Sequence, residues 1–244
     1  MNTTSASPAE PQRPRARRSL VWDAPTRVFH WLLALSFAGA WLTAESEHWR
    51  LVHMTFGYTM AGLVAFRIAW GLFGTRYARF GSFVRGPRSV ARYLRSLAGR
   101  RPEHHVGHNP AGAIAIVALL ALAALLALSG LATAGVVAIP ALGDAHEAIA
   151  NAMLAMVGVH LLGVVAGSVL HRENLVGSMI SGRKAVAPEH GIAHAWRGVA
   201  AIMLVSVLGF WSFQLSGVSR PANALTALVE GVTHHDHDRD EDDD

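Results

Sequence analysis

The chain has no cysteine. That excludes disulfides, iron–sulfur clusters and covalent c-type haem attachment by this polypeptide. Charge is scarce as well, at 16% of 244 residues against 52% hydrophobic. The scarcity is uneven. Windows 28–44, 52–73, 111–139, 148–170 and 198–218 carry few or no charges, and 111–139 carries none in 29 residues. A soluble helix with a wet face does not tolerate such a run, whereas a membrane span needs roughly 20 apolar residues. Five spans fit. Trp22 and Trp41 flank the shortest and suit the interfaces. The first 25 residues are polar and rich in Pro, Ser and Arg, without the apolar stretch of a secretory signal.

The charges that are present are sorted by side. With alternate loops placed on opposite faces, the leader, Arg67, the 74–110 loop and the 171–197 loop hold 18 of 21 Lys and Arg. The other face holds Arg50, Arg220 and Arg239, with 12 of the 17 acids. The positive-inside rule then predicts a cytoplasmic N-terminus and a periplasmic C-terminus. Arginines that flank spans belong to orientation and membrane lipid headgroups rather than to nucleic acid. Within the first basic loop, Arg88, Arg92 and Arg95 recur at helical spacing. They predict an amphipathic helix at about 87–98 on the inner leaflet.

The expected fold is all-α: an integral membrane bundle with a four-helix core and a fifth C-terminal transmembrane helix. The expected organisation is a disordered cytoplasmic leader (1–20), the core domain (21–184), a linker with the fifth span (185–219) and an acidic, His-rich periplasmic tail (220–244). Tail composition predicts disorder. Loose divalent-metal binding there is the other option.

Fourteen histidines are present. Seven fall in loops or the tail, and His108, His171 and His194 fall near cytoplasmic helix ends. There a polar ring meets headgroups or terminal carbonyls. Four lie in the apolar windows or open them: His30, His53, His146 and His160. An ionisable group within a span is a functional candidate. His146 and His160 are fourteen residues apart, which on a helix is about 21 Å and nearly the same face. His30 lies fourteen residues before the outer end of the first span, so it is level with His160. His53 and His146 both open spans at the outer surface. Pairs His30–His160 (inner) and His53–His146 (outer) follow.

Any one of these histidines alone reads better as a polar side chain bonded to nearby backbone. Four at two matched depths suit two b-type haems, each needing two axial ligands. Zinc prefers four ligands, or three and a water. A histidine-based metal or proton transporter predicts inverted repeats or broken spans, and neither is visible. Gly39, Gly57, Gly62, Gly158, Gly163 and Gly167 leave room for a macrocycle or for close helix packing. Arg67 and the inner-loop arginines suit the propionates of an inner haem, as they suit plain anchoring.

The segment Val21-Trp22-Asp23-Ala24-Pro25-Thr26-Arg27-Val28-Phe29-His30-Trp31 resembles the opening of the bacterial cytochrome b561 and nickel–iron hydrogenase b-type cytochrome family. Phe66-Arg67-Ile68-Ala69-Trp70-Gly71, Arg85-Gly86-Pro87-Arg88, Gly107-His108-Asn109-Pro110 and His171-Arg172-Glu173-Asn174-Leu175 are similar to later stretches of it. The resemblance covers about residues 21–184. It implies a four-helix dihaem membrane cytochrome of the bacterial inner membrane. Such a protein moves electrons between the quinone pool and a redox partner, often periplasmic. Its ligands would fall on His30, His53, His146 and His160. A c-type cytochrome steered by the acidic tail is one expected partner. An oxidoreductase subunit, such as a hydrogenase for which this chain is membrane anchor and relay, is the other. Glu45, Asp144 and Glu147 are candidate proton carriers for an outer quinone site.

Overall fold

The computed structural model describes residues 17–99, 103, 105–133 and 140–217. The acidic tail and most of the leader lie outside these residues. Strand β1 (Arg17–Leu20) leads into helices α1 (Ala24–Thr43) and α2 (Arg50–Phe73). Short helix α3 (Phe80–Phe83) and helix α4 (Pro87–Ala98) follow, then α5 (Pro110–Thr133) and α6 (Pro140–His171). Helix α7 (Leu175–Ser181), strand β2 (Arg183–Val186) and helix α8 (Arg197–Leu215) complete the described chain.

Among the described residues, four helical segments are long and apolar enough to cross a membrane: Glu47–Phe73, Pro110–Thr133, Ala141–His171 and Arg197–Leu215. Helix α1 has 20 residues, about 30 Å at 1.5 Å per residue, which matches a bilayer core in length. Leu154, Leu162, Val165 and Val169 of α6 are exposed, as are Ile202 and Val205 of α8. Such apolar surface is stable against lipid rather than water.

Two differences from the sequence-based expectation concern boundaries. Residues 17–20, expected within a disordered leader, pair antiparallel with β2, Arg17 opposite Val186 and Leu20 opposite Arg183. Both strands are short and charged and carry no apolar alternation, which is why the pattern hid them. Helix α6 begins at Pro140, upstream of the apolar window that opens at 148. Asp144 and Glu147 ended that window. Proline and acidic residues near a helix N-terminus are nevertheless favourable.

Helix α1 packs on α2 and α8, α2 on α5, and α5 on α6. Helix α6 runs along α5 and is held apart from α1 and α2 over most of its length. The core is layered. Phe37, Met60, Val64, Ala123, Leu126 and Met153 fill one layer across α1, α2, α5 and α6. Phe29, Leu32, Leu63 and Met203 form a second, which brings α8 into the bundle. The Trp211 Nε1–H donates to Thr59 Oγ1 at 2.8 Å and ties α8 to α2. Val21, Trp22 and Tyr77 form a third cluster in the cap at the basic end.

Candidate functional site

The four histidines come together in two pairs across the gap between α6 and the α1–α2 hairpin. The rings of His30 and His160 have centroids 6.4 Å apart and planes at 56°. Those of His53 and His146 are 6.3 Å apart at 74°. A metal–imidazole bond of about 2.0 Å on each side, with each ring centre roughly 1 Å behind its nitrogen, calls for centroids roughly 6 Å apart. Both pairs have that spacing, and neither pair is joined by a hydrogen bond within itself. Among the described residues, no group of three or more His, Asp or Glu side chains converges as a metal site.

At the outer level the hydrogen bonds fix the tautomers. His53 Nδ1 lies 2.9 Å from the Ala40 carbonyl oxygen, which can only accept, so Nδ1 carries the proton. His146 Nδ1 lies 2.8 Å from Ser129 Oγ. That hydroxyl already donates to the Leu126 carbonyl at 3.1 Å, so it accepts from His146. Each neutral ring is left with an unprotonated Nε2, the form that binds a metal ion. A bond from the second ring nitrogen is what orients metal-ligating histidines.

These two rings line a cavity of about 530 Å³ between α1, α2, α5 and α6, shared with Phe37, Trp41, Gly57 and Gly130. The volume lies in the range of cofactor pockets. A Cβ on Gly57 would meet nothing within 4 Å, so this glycine leaves the space open. A Cβ on Gly130 would come within 3.2 Å of the His146 ring. Gly39, by contrast, serves packing, because a Cβ there would run into the Phe56 ring. Of the acidic candidates, Glu45 and Glu147 line the cavity. Asp144 is exposed on α6 and does not line it.

Among the described residues six buried polar atoms have no hydrogen-bond partner, and they include His30 Nδ1, Arg67 Nη1 and His108 Nδ1 at the inner level. Arg67 lies fourteen residues after His53, the same interval that separates His146 from His160. It therefore occupies the His53 face of α2 about 21 Å deeper. It is only 3% exposed. Its Nη2 donates to the Ala78 carbonyl at 3.0 Å, and its guanidinium lies over Phe80, 4.9 Å from the ring centre. Between the two levels stand Phe37, Met60 and Met153, each seven residues from a paired histidine and each buried. They pack in one cluster midway.

The geometry is that of a membrane helix bundle with paired internal imidazoles, and the comparison with known families agrees. The model of prokaryotic cytochrome b561 matches residues 21–182. The chain belongs to the prokaryotic cytochrome b561 family. It is thus a membrane b-type cytochrome of electron transfer. No curated protein and no solved structure gives a significant match. The cytochrome b561 match begins at Val21 and ends at Gly182, so β1, β2 and α8 lie outside it.

Several residues of the family-like opening segment act on the fold rather than on the cofactor. Asp23 caps α1, accepting from the Thr26 amide at 2.7 Å. The same carboxylate accepts from Trp70 Nε1 at 3.1 Å and from the Thr75 hydroxyl at 2.5 Å. Arg27 reaches the Ile180 carbonyl at 2.6 Å, and the Val21 and Trp22 amides both donate to Gly182. The cytochrome's basic end is thereby closed on itself.

His108 corrects an expectation in this cap. Its ring does not reach toward headgroups or helix-end carbonyls. It packs between Trp22 and Phe83 in tilted contacts, with centroids at 4.5 and 4.8 Å and planes at 45° and 57°. Burial lowers its pKa to about 3, with Arg67, Lys184 and His160 adding to the effect. His171 pairs with the Tyr93 hydroxyl, 3.2 Å from Nε2.

Proposed function

We propose that this cytochrome carries electrons across the membrane through two bis-histidine haems. His30 and His160 would hold the inner haem, and His53 and His146 the outer. The observation that carries the proposal is the pair of facing imidazoles at each of two levels, 6.3 and 6.4 Å between ring centres. The surroundings suit the group. The outer pair opens on a cavity of about 530 Å³. Ala40 and Ser129 hold the outer rings in the ligating tautomer. At the inner level the unpartnered Nη1 of Arg67 suits a propionate. Held by two imidazoles at each level, haem would supply one-electron transfer there.

The protein's own residues would do the rest. Phe37, Met60 and Met153 would separate the two levels and keep water out. Charge asymmetry supports a cytoplasmic N-terminus in the bacterial inner membrane, with five spans including α1 and α8. Electrons would pass between the quinone pool and a redox partner on the periplasmic side. Glu45 and Glu147, at the mouth of the outer cavity, are the nearest candidates to exchange protons with a quinone there.

The test is selective loss. Purified His160→Ala and His30→Ala proteins should each lack one b haem, the same one. His53→Ala and His146→Ala should each lack the other. Loss of the same haem from His30→Ala and His146→Ala would break the pairing.

A further inference from the structure

Arg67 Nη1 and His108 Nδ1 are both buried and both without a hydrogen-bond partner. A buried polar atom left unpaired costs about 1–3 kcal/mol, so each calls for a partner, and among the six such atoms of the described residues these two also feel each other's charge. They are joined by one continuous set of ring contacts. Arg67 lies over Phe80 at 4.9 Å, Phe80 meets Phe83 at 6.0 Å, and Phe83 meets His108 at 4.8 Å. His108 keeps a partly exposed edge, yet its Nδ1 is closed off.

We infer that His108 is a second holder of the inner haem's carboxylates. Its Nδ1–H donates to a propionate oxygen beside the Arg67 guanidinium, and the Trp22 and Phe83 contacts fix the ring for that bond. The inference rests on the proposed inner haem at His30 and His160. It adds a residue that binds neither iron nor porphyrin face. Arg67 and Lys184 both act on His108, Lys184 being paired with Glu173 at 3.1 Å, and a carboxylate can accept from both donors at once. A neutral imidazole suffices, because it presents one N–H. The ring packing explains the neighbouring geometry too. A Cβ on Gly107 would lie 2.8 Å from the Tyr77 ring, so this glycine lets the segment before α5 approach the cap closely enough to seat His108.

The test uses the full-length protein with its haems, the inner haem being the one lost in His160→Ala. His108→Phe keeps the ring packing and removes the donor; His108→Asn keeps a donor. Each is titrated optically, and the propionate bending bands are read by resonance Raman. The Phe variant should lower the inner midpoint potential, shift the inner propionate band and leave the outer haem unchanged. The Asn variant should stay close to wild type. On haem dimethyl ester, which has no carboxylate to hold, wild type and the Phe variant should titrate alike. Should His108→Phe fail to accumulate, His108→Met replaces it under the same criteria. Loss of the inner haem alone from the Phe or Met variant, with the Asn variant keeping it, also supports the assignment. A two-haem preparation in which the donor-less variant titrates as wild type overturns the assignment and leaves the haem proposal standing. So does a difference that persists on the ester haem. Absence of b haem from wild type overturns the haem proposal itself.

Discussion

Replacing Asp23 with Ala should be the most costly single change in the cap. The carboxylate is 1% exposed and accepts three hydrogen bonds, from the Thr26 amide, Trp70 Nε1 and the Thr75 hydroxyl. Losing a helix N-cap costs about 0.5–2 kcal/mol. Each donor left without its acceptor adds about 1–3 kcal/mol. Trp70 and Thr75 are only part-buried, so water recovers some of that, and the sum is about 3 kcal/mol. Asp23→Asn should cost less. Its carbonyl still caps α1, and the Thr75 hydroxyl can turn to accept from the amide, which leaves only Trp70 unpaired. Thr75→Val removes one bond and should cost about 1 kcal/mol. The assay is reversible unfolding in mixed micelles of rising SDS fraction, followed by far-ultraviolet circular dichroism. The expected order of loss is Ala, then Asn, then the Thr75 variant. An Ala variant within about 0.5 kcal/mol of wild type, the usual range for a neutral surface change, would refute this account of the cap.

Three further outcomes follow from the packing. Ser129→Ala removes the acceptor that orients His146. It should weaken outer-haem retention by roughly 10–100-fold, as measured by transfer to apomyoglobin, with the inner haem unaffected. Gly39→Ala drives a methyl group into Phe56, whose ring already meets Trp211 edge-on at 5.3 Å. It should cost about 1–3 kcal/mol, and Phe56→Leu in the same chain should recover part of the loss. Thr59→Val strands Trp211 Nε1 and should cost about 1 kcal/mol. Trp211→Phe in that background should then add less than it does alone, and additive losses would show that the α2–α8 bond contributes nothing.

The bundle and the histidine pairing were legible because depth is a one-dimensional quantity. Rise per residue and the charge asymmetry together set which imidazoles are level, and no side-chain geometry is needed. What lay beyond the pattern depends on helix rotation and on contacts distant in sequence. Ser129 reads as one more small residue in an apolar run until α5 is rotated against α6. The acceptor of His53 is a backbone carbonyl on another helix. Fourteen-residue spacing from His53 was a usable signal for the placement of Arg67. His108 gave none, because its partners Trp22 and Phe83 are 86 and 25 residues away. Strands β1 and β2 are four residues each, too short and too charged for any periodicity. Helix α8 read as an appendage by resemblance, whereas Met203 and Trp211 join it to α1 and α2. That contact is invisible in a sequence window that is apolar on every face.

The most direct test of the central claim is a reduced-minus-oxidised spectrum of the purified chain with haem quantitation by pyridine haemochrome. Two haems at two internal levels predict two b-type haems per polypeptide, with bis-imidazole low-spin signatures and one haem retained in His160→Ala. One haem in wild type, or a His160→Ala protein that keeps both, would contradict it.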